Sequence, residues 1–130
     1  MDTLPRQFNF FGSLTAKIDH KYRVRIPEDF MVWIKASGWS LENIFIFIEN
    51  ENIIQVRPYA YIENYLKQNG ETKAEKIFPV NVEPNTNRIL FSRGMREHFQ
   101  QAGIDVQEGG RVTFKGAGSY FILQIFSNSK

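Results

Sequence analysis

The sequence predicts a mixed α+β domain that is rich in β-strands. Short runs of β-branched and aromatic residues, separated by polar turns, recur along the chain, whereas only three stretches carry apolar residues at helical spacing. The order hairpin, helix, hairpin occurs in both halves. With 130 residues, of which 42% are hydrophobic, the chain can bury one core. We therefore expect a single domain over residues 1–130, with internal repeats at about 8–57 and 77–126 and a helical connector at 58–76.

The first predicted hairpin combines a charged turn with an alternating strand. In the sequence Arg-Val-Arg-Ile at positions 23–26, an extended chain places the apolar side chains on one face and the guanidinium groups on the other. The polar residues 19–22 are short enough to reverse the chain. The two strands predicted to pair around this turn are Leu14–Ile18 and Tyr22–Ile26.

The remaining elements follow from local signals. A first helix is predicted to begin after Pro27, whose fixed φ suits a first helical turn, and to end at Gly38. A second helix is predicted over Tyr59–Asn69, and a third begins after Ser92, a favourable N-cap, and ends at Gly103. The other predicted strands are Phe8–Leu14 and the pairs Ile44–Ile48 with Ile53–Arg57, Ile77–Val82 with Arg88–Phe91, and Val112–Lys115 with Tyr120–Phe126.

Composition argues against several classes of protein. There is no cysteine and there are only two histidines, so we expect neither disulfides nor a zinc site, and no cofactor. Since no nucleophile or carboxylate pair stands out, we expect no enzymatic activity and no small-molecule substrate. The N-terminal residues lack the pattern of a signal peptide, and no apolar run is long enough for a membrane helix. We therefore expect a cytoplasmic protein that binds no membrane.

Basic residues cluster around the first predicted hairpin. The formal net charge is only +2, but five basic residues and one acidic residue lie between Pro5 and Pro27. A hairpin tip presents its side chains on a narrow ribbon that fits the major groove of DNA, where arginine pairs with guanine and lysine contacts phosphate. The alternative interpretation is an ordinary solvated strand face. Arg93 and Arg96, near a helix start, are secondary candidates for phosphate contact.

Two windows of the sequence resemble a known family. Residues 12–27, GSLTAKIDHKYRVRIP, contain an aspartate, three residues, an arginine and an apolar strand that leads into a proline, which resembles the first copy of the MraZ signature. Residues 83–91, EPNTNRILF, and the helix that follows resemble the second copy. The resemblance implies a swapped-hairpin AbrB/MraZ-like barrel in a transcriptional regulator that binds double-stranded DNA, associates with the nucleoid, and assembles into homo-oligomers such as rings.

The resemblance also assigns roles to individual residues. The basic residues of the turn motifs are expected to contact DNA, and the polar ones are expected to shape the turns. The DNA-binding set is Lys17, Lys21, Arg23, Arg25 and Arg88, and the turn-shaping set is Asp19, Asn85 and Asn87.

The sequence also departs from the family pattern. Tyr22 stands where the family usually has glycine, Ser92 replaces the second proline, and the acidic residue lies one position too far from Arg88. A protein-interaction or assembly module that keeps the fold without binding DNA is therefore a second hypothesis.

Overall fold

The computed structural model describes residue 10 and residues 12–50, 53–70 and 77–126. The predicted fold class is confirmed at the level of a mixed α+β, strand-rich domain. Within the described residues the elements are β1 (Ser13–Lys17), β2 (Arg23–Arg25), α1 (Glu28–Ala36), β3 (Ile44–Asn50), β4 (Ile53–Pro58), α2 (Tyr59–Asn69), β5 (Ile77–Pro79), β6 (Asn81–Glu83), β7 (Arg88–Leu90), α3 (Arg93–Gln101), β8 (Arg111–Gly116) and β9 (Phe121–Phe126).

The described strands form two open antiparallel sheets. The larger has the order β1-β8-β9-β4-β3-β5, and the smaller has the order β2-β7-β6. The predicted closed barrel is not observed in this part of the chain, because β1 and β5 each pair with only one neighbour. The chain leaves the large sheet after each of these two strands and enters the small sheet, so neither edge strand continues far enough to close the large one.

The two halves of the chain, residues up to 70 and residues from 77, exchange their first strands. β1 pairs with β8 of the C-terminal half, and β5 pairs with β3 of the N-terminal half. β4 pairs with β9, and β2 pairs with β7, so both sheets are built across the two halves. From either edge, the large sheet therefore presents the first strand of one half followed by the hairpin of the other.

This exchange overturns the predicted pairing of Leu14–Ile18 with Tyr22–Ile26. The backbone of Ile18 bonds instead to the loop before β8, since its N–H donates to Gly110 O at 2.8 Å and its carbonyl accepts from Gly109 N at 2.9 Å. The predicted strand Ile77–Val82 is likewise divided. Val80 interrupts it and donates its N–H to Ile44 O at 2.8 Å, so that β5 and β6 belong to different sheets.

The core contains aromatic rings from both halves. The ring centroid of Phe121 lies 5.0 Å from that of Phe10 and 5.2 Å from that of Phe30, and all three side chains are buried. Val24 and Ile89, on the inner face of the small sheet, belong to the same hydrophobic core. Phe10 forms an isolated bridge with Gly118, whereas the other residues of the predicted strand before Gly12 lie outside the described residues.

The hairpins β3–β4 and β8–β9 and the three helices are confirmed within two residues of their predicted ends, and the predicted pairing around residues 83–87 is confirmed between β6 and β7. α2 packs outside the large sheet, with the Tyr65 ring 4.9 Å from that of Phe47. The Arg57 guanidinium lies between the rings of Tyr61 and Tyr120, at 3.8 and 3.4 Å from their centroids, which fixes α2 against the β8–β9 turn. In the described residues, no helix has the length and apolar character needed to cross a membrane. Residues 71–76 of the predicted connector lie outside the described residues.

The close approach of the chain at Gly110 leads to a first prediction. A Cβ atom at this position would lie 2.8 Å from Phe126 O and 3.0 Å from Gln107 O, both backbone atoms that cannot easily move. We expect Gly110→Ala to lower the free energy of unfolding by about 1–3 kcal/mol in urea denaturation. Gly94→Ala is the matched control, because nothing lies within 4 Å of its added methyl group. There we expect a gain of about 0.5 kcal/mol from helix propensity, so a loss at Gly94 as large as that at Gly110 would contradict the steric argument.

Candidate nucleic-acid interface

The small sheet places arginine side chains from both halves on one outward face. Val24 and Ile89 are paired and fully buried, so their neighbours along each strand point away from the core. Arg25 stands opposite Arg88 in the register, and Arg23 stands opposite Leu90. We call the outward side chains of Arg23, Arg25 and Arg88 the arginine face.

Arg23 is held by carboxylates from both halves. Its Nε donates to Asp19 Oδ2 at 2.9 Å, and its Nη1 donates to both carboxylate oxygens of Glu83 at 3.2 Å. Its side chain is only 18% exposed. The guanidinium therefore joins the first turn (residues 19–22) to the second turn (residues 83–87), and its charge is largely neutralised within the protein.

Asp19 shapes the first turn through its second carboxylate oxygen. Oδ1 accepts the backbone N–H groups of Lys21 at 2.8 Å and of Arg23 at 2.9 Å. Partial burial tends to raise the pKa of Asp19, but the hydrogen bonds from these two amides and from the Arg23 guanidinium outweigh it, so this pKa lies below its ordinary value. The ionised carboxylate is thus the form that the folded turn favours.

Glu83 performs a similar task in the second turn. The Thr86 hydroxyl donates to its Oε1 at 2.8 Å. This hydrogen bond, followed by the one from Arg23, lowers the pKa of Glu83, and the nearby charge of Arg88 adds to the effect. In turn, the hydrogen bonds to Glu83 and Asp19 raise the pKa of Arg23 despite some desolvation.

Arg25 and Arg88 differ from Arg23 because neither forms an ion pair with another described residue. Arg25 is exposed and Arg88 is half-buried. Like charges directly opposite each other on paired strands cost a few tenths of a kcal/mol, up to about 1. Glu83 stands opposite Arg88 on its other side, on β6, and its charge offsets part of this repulsion, whereas Arg25 lies on the edge strand β2. A bound anion or an acceptor group would offset the rest.

Tyr22 holds the first turn in a conformation that is rare for an aromatic residue. Its φ is +62°, in the left-handed region, which costs a non-glycine residue about 1–2 kcal/mol. Two contacts with the start of α3 help to offset this cost. Its carbonyl accepts the N–H of Phe91 at 2.9 Å, and the Arg96 guanidinium lies 3.8 Å from its ring centroid while its Nε donates to Phe91 O. The backbone at position 22 is therefore left-handed although the residue is not glycine.

Asn87 occupies the matching place in the second turn, immediately before Arg88. Its φ is +56°, and its N–H donates to Glu83 O at 2.9 Å. Asparagine tolerates this region better than most residues. Asn85 is exposed in the same turn.

The remaining predicted residues lie at the margin of the arginine face. Lys21 is exposed in the first turn, whereas Lys17 belongs to the large sheet, where it stands opposite Arg111. Arg93 pairs with Glu97 on the surface of α3, at 3.4 Å. Sequence reasoning missed Arg111, because only the non-local pairing of β1 with β8 brings it near Lys17.

In the part of the chain that the structure describes, no three histidine, cysteine or acidic residues gather into a metal-binding group. Comparison with known proteins finds no family model that matches the chain and no curated protein that matches its sequence.

The network around Arg23 predicts a dependence of stability on pH. The carboxyl pKa values of Asp19 and Glu83 are lower in the folded protein than in the unfolded chain, where such groups titrate near ~3.9 and ~4.3. The network therefore adds to the free energy of unfolding above about pH 4.3, and this contribution is lost as the pH falls towards the folded values. Urea denaturation at pH 7 and pH 3 measures it, with Asp19→Asn/Glu83→Gln as the reference. We expect the wild type to exceed the variant in stability at pH 7 and the difference to shrink at pH 3; an equal difference at both would contradict the role of ionisation.

The left-handed backbone of Asn87 leads to a further prediction. Alanine adopts the left-handed region less readily than asparagine does. At a φ of +56° we therefore expect Asn87→Ala to lower the free energy of unfolding by about 1 kcal/mol. Asn87→Gly should leave stability unchanged or slightly higher, because glycine adopts this conformation without strain. Equal losses in both variants would instead indicate that the asparagine side chain itself stabilises the turn.

Proposed function

We propose that this protein is a transcriptional regulator that resembles MraZ and binds double-stranded DNA through its arginine face. The observation that carries the proposal is the side-by-side position of Arg25 and Arg88 on adjacent strands of the small sheet, with neither in an ion pair to a described residue. The protein acts in the cytoplasm, associated with the nucleoid where its DNA lies, and needs no cofactor. We infer no catalytic activity.

The exchange of first strands between the halves supports a swapped-hairpin fold of the AbrB/MraZ type. In such a fold each repeat completes the sheet of the other, and the mirrored strand order of the large sheet agrees with this. The left-handed residue immediately before an arginine in both turns, Tyr22 before Arg23 and Asn87 before Arg88, agrees with two repeats of one unit. These features motivate the repeats at about 8–57 and 77–126.

The chemistry of the arginine face suits the major groove. Proteins can read DNA with β-strands placed in a groove, and an arginine in the major groove can donate two hydrogen bonds to guanine O6 and N7. Arg25 and Arg88 have guanidinium N–H groups available for such contacts. Lys21 is exposed in the first turn, where it can contact a DNA phosphate. Arg23 acts differently from its predicted role, as the brace that keeps the two turns at a fixed separation.

A protein with so few available cations would bind a single DNA site weakly. Because the affinity of each phosphate contact depends on salt, a handful of contacts gives modest binding at physiological ionic strength. Linked copies acting on repeated sites raise the effective concentration of every further contact. We therefore include homo-oligomers, with rings as the expected form, in the proposal.

One observation favours the alternative of a protein-interaction or assembly module. Arg23 is the arginine of the first motif that resembles MraZ. It forms ion pairs with Asp19 and Glu83 and has few N–H groups left for DNA. A first turn committed to this network would serve mainly to stabilise the fold. Measurements of DNA binding separate the two functions.

The proposal predicts that Arg25→Ala/Arg88→Ala loses DNA binding while the protein stays folded. Each lost bidentate base contact costs about 1–3 kcal/mol, so the double variant should bind at least ~10-fold more weakly. Fluorescence anisotropy would measure this with the duplex from upstream of its own gene and with a random duplex of equal length, at two salt concentrations. Unfolding in urea should change little, since the substitution removes both the repulsion between opposed like charges and the attraction between Arg88 and Glu83.

Lys35→Ala/Lys67→Ala is the matched control, because it removes the same formal charge from the exposed surfaces of α1 and α2. It should bind DNA as the wild type does. Wild-type protein that binds neither duplex at low salt, yet forms a defined oligomer on a sizing column, would overturn the regulator and favour the assembly module.

A further inference from the structure

A second pair of basic side chains lies opposite each other on the large sheet. Lys17 pairs with Arg111 in the β1–β8 register, and the preceding pair is Ala16 with Val112. Val112 is fully buried in the core, so the alternation of a strand directs Lys17 and Arg111 to the outer face. Both are exposed, and side chains at such opposed positions start about 5 Å apart at their Cβ atoms.

Nothing among the described residues neutralises this pair. The other cross-strand neighbour of Arg111 is Phe126, whose side chain is 51% exposed and carries no charge. Glu108 lies in the loop that leads to β8, but neither it nor any other described acid forms an ion pair with Lys17 or Arg111. Two opposed cations without a counter-charge repel each other, and an anion between them would reverse that repulsion.

The pair lies where the two sheets meet, next to the first turn. Ile18 follows Lys17 directly and is tied by its backbone to Gly109 and Gly110, the residues that precede Arg111. Asp19, which shapes the turn, is the next residue. The anchored backbone thus holds both cations beside the turn, without an ion pair that would have to break before a ligand could bind.

We propose that Lys17 and Arg111 form a phosphate-binding site for the DNA backbone that flanks the segment contacted by the arginine face. This inference rests on the proposed function. Arg111 supplies the planar fork that can hold two phosphate oxygens, and Lys17 adds a point charge from the adjacent strand. The site has a single phosphodiester as its ligand and no base specificity.

The test compares Arg111→Gln with Lys115→Gln in DNA binding. Lys115 lies on the same strand and the same outer face as Arg111, but it is four residues away, about 13 Å along the strand, and it stands opposite the uncharged Ser13. Anisotropy titrations from 50 to 200 mM salt would use a duplex long enough to extend beyond the arginine face on both sides. The plot of log K against log salt has a negative slope. Losing one phosphate contact makes this slope less steep by about 0.9 and weakens binding roughly eightfold at 0.1 M salt.

We expect this change for Arg111→Gln and an unchanged slope for Lys115→Gln. Arg111→Lys should keep the slope, since the charge remains. If both glutamine variants fold and bind as the wild type does, the site is refuted. Equal losses in Arg111→Gln and Lys115→Gln would also overturn it, because they would indicate a general effect of net charge.

A second measurement tests whether the two cations share one phosphate. In that case Lys17→Gln/Arg111→Gln should lose less affinity than the two single variants combined. Fully additive losses would refute a shared ligand.

Failure of the inference and failure of the proposed function are distinguishable. Wild-type binding that Arg25→Ala/Arg88→Ala abolishes but Arg111→Gln leaves intact overturns only the phosphate site, whereas absence of wild-type binding to any duplex overturns both.

Discussion

The guanidinium of Arg23 joins the two turns, and the geometry of the arginine face depends on it. It meets Asp19 at 2.9 Å and Glu83 at 3.2 Å, so each half supplies one of its carboxylates. Partly exposed ion pairs add little to stability, and the larger effect here is positional. Arg23 occupies both acids, and neither Arg25 nor Arg88 forms an ion pair with a described residue, although the charge of Glu83 still acts on Arg88. The same group therefore fixes the shape of the surface and leaves its charge available.

Local patterns in the sequence were sufficient for the helices and for the pairing of the three hairpins β3–β4, β6–β7 and β8–β9, whose strands are adjacent in the chain. They failed at the first hairpin, since a polar turn between two alternating strands predicts direct pairing and carries no information about a better partner elsewhere. β1 finds that partner in β8, almost a hundred residues away. The division of Ile77–Val82 has the same origin, because its two ends pair with strands from different halves.

The candidate site was predictable in part. Clustering of charge and alternation identified the basic residues of the first turn, and Val24 and Ile26 are buried as the alternation requires. The sequence pattern could not show that Arg23 forms an ion pair with Glu83, because the two residues lie 60 positions apart. The role of Arg111 depends on a register that no local rule specifies. Tyr22 is a different case: the unfavourable φ of an aromatic residue depends on support from Arg96 and Phe91, which the sequence alone does not place nearby.

The strand exchange has a consequence for how the molecule assembles. An intertwined pair of separate half-length chains would have to meet in solution, and its folded fraction would fall with dilution. Here one covalent chain carries both halves, so each strand finds its partner at the high local concentration that a short tether provides. Pairing of the two halves within one chain is then first-order in that chain. The tether also removes any need for the halves to stay alike, so one arginine can serve as an internal brace while its counterpart keeps its donors for other acceptors.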